Sequence, residues 1–193
     1  MNKKLQLIYL LLLLPLLLLT TTVSAQRNRN AYTGNNSVLV TLDGFTNRYE
    51  FKSEQTLVRY NKDTQQIECI IPVETLLPLR DTIPPSMAYD VLFGAVHPQI
   101  FISFAAPTQQ INAANLSPEN VNLKTYVRLQ EVTNSLAAPV IFTPESTALH
   151  FSTTLDLQLS DFQASIPVAY LPLLTGRMMI TIDRARWVKL NGR

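Results

Sequence analysis

Hydrophobic and polar residues alternate with a period of two along most of this chain, the pattern of strands that bury one face and wet the other. In residues 66–72, Ile67, Cys69 and Ile71 share one face while Gln66, Glu68 and Ile70 take the other, and in residues 99–104 Ile100, Ile102 and Phe104 repeat the arrangement. Between these two strands the period changes. Ser86 is placed to cap a short helix over residues 87–93, with Met87/Val91 and Tyr89/Phe93 stacked four apart and Gly94 as its stop. A Pro-rich bend precedes it.

The rest of the chain reads as more strand. Residues 37–42 alternate Val38 and Val40 with Leu39 and Thr41, and residues 49–60 carry Phe51, Leu57, Val58 and Tyr60 before a turn at 61–64. Residues 105–120, rich in Ala, Asn, Gln and Pro, are expected as a long loop, of the kind that forms the rim of a mouth. Residues 121–130 alternate again, Thr133-Asn134-Ser135 supplies turn chemistry, and residues 139–142 follow as a strand. Over 148–159 the residues Leu149, Phe151, Leu155, Leu157 and Leu159 face one way. In 177–188, Met178, Ile180 and Ile182 hold the apolar phase, which Arg184 and Arg186 would break unless a bulge near Asp183 returns Ala185 and Trp187 to it. About eight strands, one short helix and regularly spaced polar turns define an all-β chain, an antiparallel barrel or sandwich. An eight-stranded barrel is either filled by its own side chains or just wide enough for one small ligand.

Composition changes the picture at the N-terminus. Lys3 and Lys4, a Leu-rich run over residues 5–19 interrupted by Pro15, and Val23-Ser24-Ala25 ahead of Gln26 make a secretory signal peptide over residues 1–25. No second apolar span follows, so no stable membrane span is expected after cleavage, and the mature chain is expected to be exported, periplasmic or extracellular. Residues 26–36, QRNRNAYTGNN, read as a flexible polar leader, and residues 37–193 as one domain. Losing Lys3 and Lys4 brings the basic count from 16 to the 14 of the acids, so a nucleic-acid partner has no electrostatic support. Cys69 is the single cysteine, which rules out an intrachain disulfide and reads as a core residue.

The search for chemistry returns little. A metal site would need His97 and His150 to converge with carboxylates, yet one precedes Pro98 in a connection and the other falls on the polar face of its strand. No GxSxG, HExxH or CxxC motif occurs, nor a phosphate-cradling glycine loop in a chain with five glycines. No cofactor, no metal and no catalytic residue are expected. Asn35-Asn36-Ser37 and Asn115-Leu116-Ser117 match the glycosylation pattern, which matters only on a eukaryotic secretory route.

The order of parts, Arg80-Asp81, then Tyr89-Asp90 and Phe93, then His97-Pro98 leading into an apolar strand, resembles the YceI-like family, as does Ser160-Asp161-Phe162 ahead of the last strand. The resemblance runs from about residue 37 to 187. It implies a lipocalin-like antiparallel β-barrel of about eight strands with one short helix, in an exported protein that holds a long polyisoprenoid chain inside. The chain departs from that family at residues 129–134, which lack the usual hairpin glycine, and at Thr82-Ile83-Pro84-Pro85, where a histidine is usual.

Two functions compete on this basis. In the first, a carrier or sequestering protein buries an isoprenoid or other long apolar lipid against the inward face, with Ile67, Ile71, Ile100, Ile102, Phe104, Leu155, Met178 and Ile180 as the ligand-binding interior and Arg80 and Asp81 as the candidate barrel mouth. In the second, a ligand-free envelope domain acts through its surface in adhesion, assembly or a stress response. Phe51, Phe104, Phe151 and Trp187 discriminate: as a plug they leave no room for lipid, and as a wall lining they leave a tunnel. The sequence leaves the ligand, the biological process and the oligomeric state open.

Overall fold

The structure, a computed structural model, describes residues 32–107, 119–145 and 148–189. The signal peptide, the first part of the leader and most of the long loop expected at 105–120 lie outside the described residues, as does Asn115. Nine strands alternate with short turns: β1 (Thr33–Gly44), β2 (Arg48–Asn61), β3 (Gln66–Pro72), β4 (Leu77–Pro78), β5 (Gln99–Ala105), β6 (Glu119–Leu129), β7 (Val132–Pro144), β8 (Ala148–Gln158) and β9 (Leu174–Lys189). One helix, α1 (Met87–Val91), and two 3-10 turns, Val73–Thr75 and Leu159–Phe162, complete the described elements.

Eight of the strands form a ring. Each pairs antiparallel with its neighbours in the order β1-β9-β8-β7-β6-β5-β3-β2, and β2 returns to β1, so the sheet closes and its long edges disappear. The two-residue β4 sits outside that count, pairing with β2 at Phe51 and Lys52. The expected all-β antiparallel barrel with one short helix is therefore the observed fold.

Closure depends on local irregularities that let long strands coil. In β1, Asn35 has φ +60° beside the first register shift against β2. The Asn36 side chain then replaces lost ladder bonds: its Nδ2 donates to the carbonyls of Thr33 and Thr56, and its Oδ1 accepts from the Arg186 backbone N–H at 2.8 Å. One buried amide thus holds three strands together where β1 and β9 cease to pair directly. The bulge expected near Asp183 is present: Ser152 opposes both Asp183 and Arg184, which has φ +47°. The Ser152 hydroxyl donates to the Asp183 carboxylate and accepts from the Arg184 N–H, satisfying the extra residue. Ala185 and Trp187 return to the interior as a result.

Three expectations are corrected. Thr133-Asn134-Ser135 is not a turn; it lies within β7, whose start moves from Pro139 to Val132. The hairpin instead turns at Gln130 and Glu131, with φ +49° and +66°, between the paired Leu129 and Val132, which is the two-residue geometry that matches strand twist. Neither residue type advertises it. The helix ends at Val91 rather than Phe93, with Phe93 at φ +53° and Gly94 N–H bonded to the Tyr89 carbonyl, so Phe93 takes the left-handed position expected of Gly94. Gly94 serves another purpose, since a Cβ there would stand 2.4 Å from the Tyr89 ring. Finally, strand β1 begins at Thr33, inside the stretch expected as leader.

Candidate functional site: the barrel interior and its two ends

Period-two alternation around a closed ring sends one face of every long strand inward. Ile67, Ile71, Ile100, Ile102 and Phe104 make one patch, in the cross-strand pairs Ile67–Phe104 and Ile71–Ile100, with Ile102 opposite Cys69. Leu155, Met178 and Ile180 make a second, through the Leu155–Ile180 and Leu157–Met178 pairs. The β3/β5 and β8/β9 patches lie on opposite walls of the ring, and all eight residues are fully buried in a single core. Arg80 and Asp81 do not join them. Both are exposed in the turn after β4, where the Arg80 carbonyl accepts from Ile83 N–H.

The two ends of the barrel are closed by different means. At the end where β1 begins and β9 finishes, aromatic side chains meet across the lumen. Phe104 of β5 meets Phe151 of β8 edge to face, with centroids 5.1 Å apart, although three strand positions separate them around the ring. Phe104 lies 6.4 Å from Phe142, Phe142 lies 6.2 Å from Trp187, and Trp187 lies 5.8 Å from Tyr60. Of the four aromatics expected to decide between plug and wall, three belong to this belt, and they bridge the walls.

At the opposite end the closure is made of backbone. Helix α1 buries Met87, Ala88 and Val91, with Leu92 beside them, and the 3-10 turn Leu159–Phe162 adds Leu159 and Phe162. Tyr170, from the connection between that turn and β9, donates its hydroxyl to Asp90 Oδ2 at 2.8 Å, which fastens the connection to the helix. Val73 N–H donates to the Pro98 carbonyl, fixing the segment that carries α1 over the lumen. Outside this cap, Phe45, Leu77, Leu79, Val96, Val168 and Leu171 are exposed, on the hairpins and connections of that one end.

Among the described residues, the buried polar side chains of the inner wall are few and uncharged. Thr125, Thr153, Ser53 and Thr56 are buried on inward-facing positions, and Thr153 donates to the Pro139 carbonyl at 2.8 Å. Glu68 is buried but outward-facing, held by Arg59 at 2.6 Å and Asn61 at 2.7 Å. Burial pushes the Cys69 thiol far above its usual range, with the nearby Glu68 charge adding to the effect, so it stays protonated and inert. Two buried groups have no hydrogen-bond partner on the inner wall, Trp187 Nε1 and Thr56 Oγ1.

The two histidines do not converge: His97 follows α1 at the capped end, while His150 stands near the start of β8 at the other. Burial, aided by Arg184 and Arg186 and opposed by Glu145, holds the His150 imidazole below its usual pKa. Glu145 Oε2 stands 3.7 Å from Nδ1, beyond hydrogen-bond range. Among the described residues no group of His, Cys, Asp and Glu is arranged to hold a metal ion, and no helix is long and apolar enough to cross a membrane.

The sequence pattern found the wall but missed the contacts across it. Tyr60 and Phe142 share the inward phase, yet alternation alone does not say that side chains on distant strands touch. The role of Asn36 was hidden because a buried asparagine that stands in for backbone reads, in sequence, like part of a polar leader.

No family model matches this chain, and no curated protein matches it in sequence. Solved structures do match its fold. A polyisoprenoid-binding domain from Saccharophagus degradans, implicated in plant cell wall breakdown, superposes with a TM-score of 0.66 at 9% identity, covering 79% of this chain and 94% of that one. BcnA from Burkholderia cenocepacia superposes with a TM-score of 0.54 at 13% identity, covering 76% and 93%. The YceI protein of Campylobacter jejuni matches at 9% identity over 88% of this chain and 95% of that one, with a TM-score of 0.46.

Proposed function

We propose that this chain is an exported, non-catalytic binding protein whose barrel takes up one long apolar chain, of isoprenoid or similar lipid character, and shields it from water. The observation that carries this reading is the pair of opposed apolar walls, Ile67 to Phe104 on one side and Leu155, Met178 and Ile180 on the other, inside a closed ring. The fold shared with a polyisoprenoid-binding domain supports it. The N-terminal segment, with its basic start, Leu-rich run and small-residue exit, supports export to the periplasm or beyond.

Burial supplies the affinity. At about 25 cal/mol per Å², roughly 300 Å² of buried chain surface is on the order of 7 kcal/mol before ordering costs. Because the walls touch, uptake requires one closure to yield. The aromatic belt is the easier one, since rings move by side-chain rotation, whereas moving α1 breaks backbone hydrogen bonds and strips Met87, Val91 and Leu92 of their contacts. Arg80 and Asp81 would flank the alternative route past the helix.

A second reading, a ligand-free envelope domain that works through its surface, is favoured by the Phe104–Phe151 contact across the lumen and by the exposed apolar fringe at the capped end. Native mass spectrometry of protein purified from several hosts separates the two. The carrier reading expects a lipid adduct that organic extraction removes and that geranylgeraniol restores. Absence of any adduct in every host, with no uptake of added geranylgeraniol, would support the surface-acting domain.

A further inference from the structure

The buried indole of Trp187 belongs to the belt that closes the aromatic end, and its Nε1–H has no acceptor. An indole N–H normally finds a partner when buried, because leaving a donor unsatisfied costs more than a hydrogen bond returns. A phenylalanine would fill such an apolar site without that cost. The neighbouring wall repeats the anomaly. Thr56 is fully buried with its Oγ1 unpartnered, on the inward face of β2 that also carries Val58 and Tyr60, and the Tyr60 ring packs against Trp187. The Thr33 hydroxyl, whose one hydrogen is shared between the carbonyls of Val58 and Arg186, sits between β2 and β9 on either side of β1 at this level.

We infer that Trp187 Nε1–H is the donor for an uncharged oxygen at the end of the bound chain, so that the ligand is a lipid alcohol, ester or ketone rather than a bare hydrocarbon or a phosphate. The inference rests on the carrier reading above and names the ligand's polar end. The absence of charge narrows the class. Buried inward-facing polar residues are confined to Thr, Ser and Asn among the described residues, so nothing on the wall repays the desolvation of a phosphate. A neutral acceptor loses little on entering and gains, in Trp187 Nε1–H, a buried donor that has no partner among the described residues.

Trp187 is the sole tryptophan, so its fluorescence reports on this site alone. The test titrates wild type and Trp187→Phe with geranylgeraniol, geranylgeranyl monophosphate and the corresponding hydrocarbon, read by displacement of an apolar dye from the barrel. In wild type the alcohol should bind about five- to tenfold tighter than the hydrocarbon, the net value of one hydrogen bond. Trp187→Phe should erase that preference, bringing alcohol and hydrocarbon to equal affinity. Independently of any variant, wild-type indole emission should move to longer wavelength with the alcohol and not with the hydrocarbon. Equal binding of alcohol and hydrocarbon by wild type, a preference that survives Trp187→Phe, or tightest binding by the monophosphate would each overturn the inference while leaving the carrier reading intact. Failure of wild type to bind any of the three would overturn the carrier reading itself, and the inference with it.

Discussion

The two ends of this barrel solve one problem with different materials. At the aromatic end, side chains from β5, β7, β8, β9 and β2 meet in the lumen. At the other end, a helix and a 3-10 turn lie across the opening, held by backbone hydrogen bonds and the Tyr170–Asp90 contact. A closure made of rings opens through rotamer changes and leaves the strands paired. A closure made of helix opens only at the cost of the contacts and hydrogen bonds that hold it, here the Val73–Pro98 and Tyr170–Asp90 bonds. On the proposed carrier reading, the difference makes the aromatic end the route of exchange and the capped end the source of stability.

Mutations that break this contrast should differ in size. The largest effect is expected from Phe104→Ala, which removes the ring that bridges β5 to β8: a loss of about 3–5 kcal/mol in urea denaturation. A loss under about 1 kcal/mol would mean that the walls do not depend on one another there. Asn36→Ala comes next. It orphans the Arg186 N–H and two carbonyls, so about 2–3 kcal/mol should be lost, with faster amide exchange along the β1–β9 seam and none at α1.

At the capped end, Tyr170→Phe removes one hydroxyl bond to Asp90, and a loss of about 1 kcal/mol is expected in thermal melts, with faster exchange confined to α1 and residues 163–173. The smallest effect sharpens the chemistry of the aromatic end. His150 binds its proton less readily folded than unfolded, because of burial and of Arg184 and Arg186, so acid favours the unfolded chain. Stability should be level above about pH 6.5, the ordinary histidine value, and should fall as pH drops below it towards the folded-state value. His150→Gln should flatten that part of the profile; an unchanged profile would place the acid sensitivity elsewhere.

Much of the fold was legible because alternation survives in nearly every strand. Ile67, Cys69 and Ile71, or Leu149, Phe151 and Leu155, declare their face without reference to any other part of the chain. Even the β9 bulge was readable, since Arg184 and Arg186 fall in the apolar phase unless one residue is inserted. What escaped reading depended on partners far away in sequence. Gln130-Glu131 turns at positive φ because β6 and β7 pair along their whole length and force it, while Thr133-Asn134-Ser135, better turn formers, are drawn into the ladder. The candidate site was legible as a wall and not as a closed lumen. The eight inward residues could be chosen one strand at a time, but the belt through Tyr60, Phe142 and Trp187 exists only once the ring is closed.

The central claim is that an apolar chain enters by displacing rings and leaves the helix in place. Amide hydrogen exchange with and without saturating geranylgeraniol tests it directly. The account predicts altered exchange at the aromatic end, in the first residues of β1, β3 and β8 and the last of β2, β5 and β9, with α1 and the Leu159–Phe162 turn unchanged. Altered exchange concentrated in α1 and residues 159–173, or no change anywhere once binding has been established, would contradict it.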